Sequence, residues 1–424
     1  MAKPKLALIP AAQGTKFYSV LPSDGSGDFD FTRGSKATRI NAQGLIEIVN
    51  DNISRLDYPM IDGVQKGCPH HILEPASTNL ATYSEDFSNA VWTKDNCTIS
   101  QNVGIAPDGT TTADKLIMNN GVLPASPDQF GLKRNSSVAS GIYSYSFFAK
   151  AAEFSSINIR EIFDSGLFLN INLINGVITN PSPTEFVNPL SINVGNGWYR
   201  ISWTSSVMNN ILQYIVRAGA TGDGTSGFLI WGYQVEAQPA ATSYIPTNGE
   251  SGGVTRSAET ANGAGNSTTF NDSEGVLMLE ISALSNDTSS KTISLTDGGQ
   301  NNGIELFFFA GNSIYINLWS GGVSQGFLNY EIDIENFNKV CYTYKLNNTA
   351  LWINGYKVDT DTSATMPIGL SELAFENGIG GNDFYGKTKQ IQYFDSALDS
   401  QQLEQLTSWQ SFRDMAEGQL YTIE

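Results

Sequence analysis

Leu351-Trp352-Ile353 and Tyr356-Lys357-Val358 stand on either side of Asn354-Gly355. Asn followed by Gly accepts the positive φ of a two-residue type I′ turn, so this stretch predicts two antiparallel strands joined tightly. Downstream, Gly378-Ile379-Gly380-Gly381-Asn382-Asp383 predicts a loop and Phe384 to Phe394 a long extended run. That run leads into a predicted helix, with Asp399 as N-cap, Gln402 three residues on, and Leu398 and Leu403 at staple positions. Leu403, Leu406, Trp409 and Phe412 or Arg413 recur at helical spacing, and Met415, Leu420 and Tyr421 are expected to prolong the apolar face. The stretch therefore reads as the closing third of a β-sandwich sealed by a short helix.

The rest of the chain favours the same class. At 424 residues it predicts two or three domains. Charged residues make up only 16 %, and 41 glycines with many Asn, Ser and Thr suit short strands joined by turns better than helices with charged faces. A net charge of −18 argues against nucleic acid as partner, since phosphate binding needs clustered Lys and Arg. Cys68, Cys97 and Cys341 match no disulfide framework and no zinc spacing. Pro10 interrupts an apolar run near the start that is too short for a signal peptide, and no run reaches the ~20 apolar residues of a membrane span. The expectation is a soluble protein made in the cytoplasm, with no membrane insertion.

Residues 1–80 are irregular, with Pro22 and Asp24-Gly25-Ser26-Gly27-Asp28, and only Gly44 to Val49 reads as a strand. Such a segment buries little of its own and needs a neighbour. Arg33, Lys36, Arg39 and Arg55 concentrate positive charge there, either as solvated surface or as a patch that docks on an acidic partner. From Tyr83 to Ile245 the alternating runs Tyr143 to Phe147, Phe168 to Leu173 and Gly197 to Trp203 predict a sandwich or jelly roll. Residues 251–267, rich in Gly, Ser, Thr and Asn, read as a linker. A second all-β unit follows, with a hairpin from Ile304 to Trp319.

Several runs carry a family resemblance. Thr32-Arg33-Gly34-Ser35-Lys36-Ala37-Thr38-Arg39 through Glu47, Arg55-Leu56-Asp57-Tyr58-Pro59 and Ile72-Leu73-Glu74-Pro75-Ala76-Ser77-Thr78-Asn79-Leu80 closely resemble the N-terminal region of tailed-bacteriophage virion proteins. Tyr83 to Trp92, Ala106 to Thr110, Phe147 to Ala151, Gly197-Trp198-Tyr199-Arg200 and Trp231 to Thr247 are similar to the same family. The C-terminal unit resembles its laminin-G-like branch of the concanavalin A-like lectin fold, departing from it at Thr388, where an apolar residue is usual. The resemblance implies a fibre, tail or head appendage protein. It also implies that residues 1–80 anchor the chain to other virion proteins, capsid or tail, at the virion surface.

Candidate chemistry is sparse. Glu331-Ile332-Asp333-Ile334-Glu335 would set three carboxylates on one strand face, similar to family 16 glycoside hydrolases, with Glu331 as nucleophile and Glu335 as acid/base. The next residues, Asn336-Phe337-Asn338-Lys339, point instead to an exposed connection with carboxylates at ordinary pKa. Tyr315, Asn317 and Trp319 share the other face of a strand whose Ile314, Ile316 and Leu318 turn inward. That strip could stack on a sugar, or serve as a second apolar layer or an oligomer contact. Asn382 and Asp383, at the mouth of the Gly-rich loop, are further glycan-binding candidates. His70 and His71 diverge in an extended chain, and Asp108-Gly109 and Asp223-Gly224 are turn residues before they are calcium ligands.

The reading is an all-β chain: two β-sandwich (jelly-roll) domains after an irregular N-terminal anchoring segment, with a short C-terminal helix. Its parts are 1–80 (anchor), 81–250 (carbohydrate-binding-module-like sandwich), 251–267 (linker) and 268–424 (laminin-G-like sandwich and helix). The expected function is adhesion to surface glycans as a homo-oligomer, such as a trimer, without catalysis. A spacer or decoration role and a retaining glycosidase are the alternatives. No cofactor and no metal is expected.

Overall fold

The computed structural model of the chain describes residues 3–122, 131–137, 139–161, 168–179, 186–207, 211–217, 221–309, 311–411 and 414–415. Within them the chain is almost entirely β, and its one α-helix is Ser400–Thr407. The all-β patterning is realised as two sandwiches.

In the first, two six-stranded sheets face each other, their longest strands being Gly141–Ala151, Trp198–Val207 and Gly227–Glu236. Alternation along these strands sends Tyr145, Phe147, Trp203 and Tyr233 inward. Tyr145 and Trp203 stack there with ring centroids 5.0 Å apart.

The second sandwich places a five-stranded sheet, in the order Val323–Glu331, Ser313–Ser320, Gly303–Phe309, Lys291–Thr296 and Glu372–Ala374, against a nine-stranded one. The larger sheet is built around Glu274–Ala283, Asn338–Lys345, Thr349–Ile353, Tyr356–Asp361 and Gly386–Phe394. The Asn354-Gly355 turn forms as its residues require, with φ of 49° and 91°. The helix then docks on this hairpin, and Thr407 Oγ1 accepts the N–H of Gly355 at 3.1 Å. Its N-terminus is the expected capping box. Asp399 Oδ1 accepts the N–H of Gln402 at 2.9 Å, and Gln402 Oε1 accepts the N–H of Asp399 at 3.1 Å. The helix stops at Thr407 because Ser408 turns extended, so the expected continuation through Trp409 does not form. Trp409 instead places its ring 4.7 Å from Lys339 Nζ. Phe412, Arg413, Leu420 and Tyr421 lie outside the described residues.

The N-terminal segment is where the structure departs most from the sequence reading. Residues 1–80 do not stand apart: Leu6–Leu8, Ser19–Leu21, Leu56–Asp57 and His70–Leu73 are four strands of the nine-stranded sheet. Leu6 pairs with Tyr393 and His71 with Thr388. The neighbour this segment needs is the far end of its own chain. Its hairpin tip at Gly63 also abuts the first sandwich, close enough that a Cβ there would collide with Asn193.

The stretch expected as a linker is paired as well. Val254–Arg256 runs against Ser77–Asn79, and Thr260–Asn262 against Phe29–Thr32. Its threonines, which read as flexible polar composition, are β-branched residues that pair across strands, with Thr78–Thr255 and Thr32–Thr260 hydroxyl contacts both at 2.7 Å.

Pairing buries both histidines. The ring of His71 stacks on Phe17 at 3.8 Å, and burial pushes its pKa down to about 3. His70 lies 3.4 Å from Asp57, with Lys387, Lys389 and Phe337 also around it, and burial outweighs the carboxylate to lower its pKa. Both are lowered from an ordinary 6.5, so the unfolded chain takes up protons first. Stability should therefore be full above about pH 6.5 and fall on acidification, by up to ~1.4 kcal/mol per pH unit for each histidine. Urea midpoints between pH 7 and 5 measure this, and His71→Gln should flatten the slope. Equal slopes for the two proteins would remove His71 as the cause.

Candidate functional site

The two sheets of the second sandwich expose different outer faces. On the nine-stranded sheet, Val276, Met278, Cys341, Trp352 and Phe394 are covered by Leu398 and Leu403 at the start of the helix. The outer face of the five-stranded sheet carries a different set of side chains, which its register places in rows. Thr292, Phe307, Tyr315 and Asn329 lie opposite one another, followed by Ser294, Glu305, Asn317 and Phe327, then Thr296, Gly303, Trp319 and Ser324. Phe309, Ser313 and Glu331 complete the face at the other end. The alternate residues, such as Ile304, Leu306, Ile314, Ile316 and Leu318, fill the core.

Tyr315, Asn317 and Trp319 thus share a face as their spacing predicts, but they are less available than expected. Tyr315 stacks on Phe307 with centroids 5.4 Å apart. Asn317 is only 2 % exposed, and its Oδ1 accepts the Ser324 hydroxyl at 2.7 Å. The Trp319 indole N–H donates to Glu305 Oε2 at 3.0 Å, and burial raises the Glu305 carboxyl above its usual range. The most open rings are Phe309 and Phe327, at 43 % and 55 %, with Asn329 and Glu331 exposed beside them. A signal for Phe307 and Phe309 was present in Glu305-Leu306-Phe307-Phe308-Phe309, where alternate residues share a face, but joining them to Tyr315 and Phe327 requires the register.

Asn382 and Asp383 do not converge with this strip. The Asn382 carbonyl accepts the N–H of Thr292 at 2.8 Å, which puts the loop at the opposite sheet edge, about three strand spacings (~14 Å) from Tyr315. Asp383 accepts the Tyr385 hydroxyl at 2.9 Å.

The carboxylate triad is likewise dispersed. The strand ends at Glu331, and Asp333 Oδ1 turns back to accept the N–H of Glu335 at 3.0 Å. The alternation that would align Glu331, Asp333 and Glu335 therefore breaks at its first member, and burial together with Asp333 raises the Glu335 pKa. Asp108 and Asp223 accept the N–H groups of Thr110 and Thr225, as turn residues do. Among the described residues no group of three or more His, Cys, Asp or Glu side chains is arranged to hold a metal ion.

The four cations expected as a docking patch separate into two kinds. Arg33 and Arg55 are fully buried. Glu259 Oε1 accepts from Arg33 Nη1 at 2.8 Å and Arg55 Nε at 2.9 Å, and Oε2 accepts from Arg55 Nη2 and from the N–H of Glu74. Arg256 Nη1 pairs with Glu74 Oε2 at 3.0 Å, and the Ser243 hydroxyl of the first sandwich also donates to Glu74. This charged cluster joins residues 1–80, the paired stretch after Asn248 and the first sandwich. Lys36 is exposed, and Arg39 pairs with Glu47 at 3.2 Å. Glu259 and Arg256 escaped the sequence reading although they are opposite charges close together in a mostly neutral stretch.

No family model matches this sequence, and no curated protein matches it. Solved structures that match include the CBM40 module of the Ruminococcus gnavus IT-sialidase, at 16 % identity over 34 % of this chain and 88 % of that one, with a TM-score of 0.30. The NanB sialidase of Streptococcus pneumoniae matches at 15 % identity over 33 % of this chain and 24 % of that one, TM-score 0.28. A SAP-like pentraxin from Limulus polyphemus matches at 16 % over 33 % and 72 %, TM-score 0.28. Likeness at this level carries no argument about function.

Proposed function

We propose that this chain is a bacteriophage fibre or appendage subunit that adheres to surface glycans without cleaving them, through the outer face of the five-stranded sheet. The observation that carries the reading is the contrast between the two outer faces: one sheet is sealed by the capped helix, while the other presents Phe309, Phe327, Tyr315, Asn329 and Trp319. Rings beside amides suit the apolar face and the hydroxyls of a sugar. The phage assignment rests on the N-terminal and middle runs that resemble virion proteins. Lys36 is the anchoring candidate that remains exposed, with Arg39 half-buried against Glu47. Repeated copies in an oligomer would turn weak contacts into avidity.

Phe327→Ala with Tyr315→Ala should lower the affinity of the multimerised full chain for its glycan by tenfold or more, read on a glycan array and then by calorimetry. An array that stays blank with the unaltered chain would remove the adhesion reading and leave a spacer. The buried charge cluster favours that second reading, because it ties the sandwiches to a common N-terminal segment as a rigid spacer requires.

A further inference from the structure

We propose that the cleft beside Phe327 is a subsite for a positively charged group on the ligand, so that the face selects glycans bearing free amino groups and rejects acidic ones. The inference rests on the adhesion reading and names its ligand class. The five-stranded sheet ends at Val323–Glu331 and the nine-stranded sheet at Tyr356–Asp361, each hydrogen-bonded to its sheet on one side only. Between these two strand edges lies a cavity of about 200 Å³. Leu328, Tyr342 and Ala364 form its buried floor, and Asp359 and Asp361 stand at its mouth. Phe327 lines it as well, and Phe327 belongs to the exposed face. Cleft and platform are therefore continuous.

The size and the charge of the cleft decide what enters. It is smaller than the ~300–1,000 Å³ of sites that enclose a whole drug-sized ligand, so it takes one group at the end or side of a chain. Both carboxylates are held by local bonds. Asp359 Oδ2 accepts the N–H of Asn329 across the gap at 3.0 Å, and Oδ1 accepts the N–H of Thr360 at 2.8 Å. Asp361 Oδ1 accepts the N–H and hydroxyl of Ser363 at 2.8 and 2.7 Å. Glu305 and Glu331 add carboxyl groups to the adjoining face, and no Lys or Arg stands among the residues of the rows or lines the cleft. An ammonium gains two fixed acceptors here, whereas a uronate or a phosphate meets like charge, which suppresses the wrong partner more than it alters contact area.

The test uses the full chain and three probes at pH 6: a β-1,4-glucosamine tetramer, its fully N-acetylated counterpart and a galacturonate tetramer. Calorimetry should show the amino tetramer binding at least tenfold tighter than the acetylated one and no binding of galacturonate. Asp361→Asn should shrink that preference to threefold or less. Thr360→Lys, an exposed change at the mouth, should do the same without touching the floor. If the acetylated tetramer binds and the preference is absent, or survives both substitutions, the cleft assignment is overturned while adhesion stands. If no tetramer binds while the glycan array gives signal with other sugars, the cleft assignment falls and adhesion stands; a blank array removes both.

Discussion

A chain lacking residues 1–80 should fail to form the second sandwich. The deletion removes four strands of the nine-stranded sheet and, with them, Leu6, Leu8, Phe17, Phe29, Phe31 and Leu73 from its core. At ~1.5–3 kcal/mol for each fully buried large apolar side chain, the loss is roughly 9–18 kcal/mol, as large as the whole stability of an ordinary domain. The Gly386–Phe394 strand would also lose its Leu6–Leu8 and His70–Leu73 partners and expose a long edge that invites aggregation. Residues 81–424 should thus be recovered insoluble, or with protease cleavage throughout 268–424. A soluble fragment that melts like the full chain would show the four strands to be dispensable. Such a deletion cannot serve as a test of virion anchoring, since it damages the sandwich before it reports on attachment. Exposed Lys36 is the better probe.

The second large effect is expected at Glu259. Its carboxylate holds Arg33 and Arg55 where all three side chains are fully buried. In Glu259→Ala both guanidiniums lose their common acceptor, and breaking a buried pair by removing one partner costs ~3–5 kcal/mol. The exposed pair of Lys16 with Asp30 should contribute at most ~1 kcal/mol by comparison. Denaturant midpoints of Glu259→Ala and Lys16→Ala compare the two directly, and an unmoved midpoint in the first would mean that the cluster adds nothing. The cluster also has a pH signature. Arg256 and Arg55 offset the burial penalty on Glu74 and hold its pKa below the usual 4.5. Its contribution is therefore present above that pH and lost as acid protonates it, starting below the pH at which the histidines begin to take effect.

What could be read from the sequence was local. The type I′ turn at Asn354-Gly355 and the capping box at Asp399 and Gln402 are written within four residues, and both form. The shared face of Tyr315, Asn317 and Trp319 follows from strand period alone. Its ring partners Phe307 and Phe327 lie on adjacent strands, and that neighbourhood depends on register. Arg33 and Arg55 were legible as a cluster of charge, but their burial depends on Glu259, more than 200 positions later. At Glu331 the local signal again decided: the residues that follow pointed to a connection, and the Asp333 side chain bonds the following backbone and ends the extended run.

The pairing of Leu6 with Tyr393 sets an order of events during synthesis. The Leu6–Leu8 strand meets this partner only when the residues between them, through both sandwiches, have followed. At ~5–20 residues per second that interval is roughly 20–80 s. The first sandwich, whose strands lie between Trp92 and Glu236, can complete itself within that time, whereas the N-terminal strands have only their local pairings, such as Leu6–Leu8 with Ser19–Leu21, until Gly386–Phe394 arrives. The many Gly, Ser and Asp residues among them keep such a segment soluble, and the nine-stranded sheet that backs the exposed face is finished only once Gly386–Phe394 has been made.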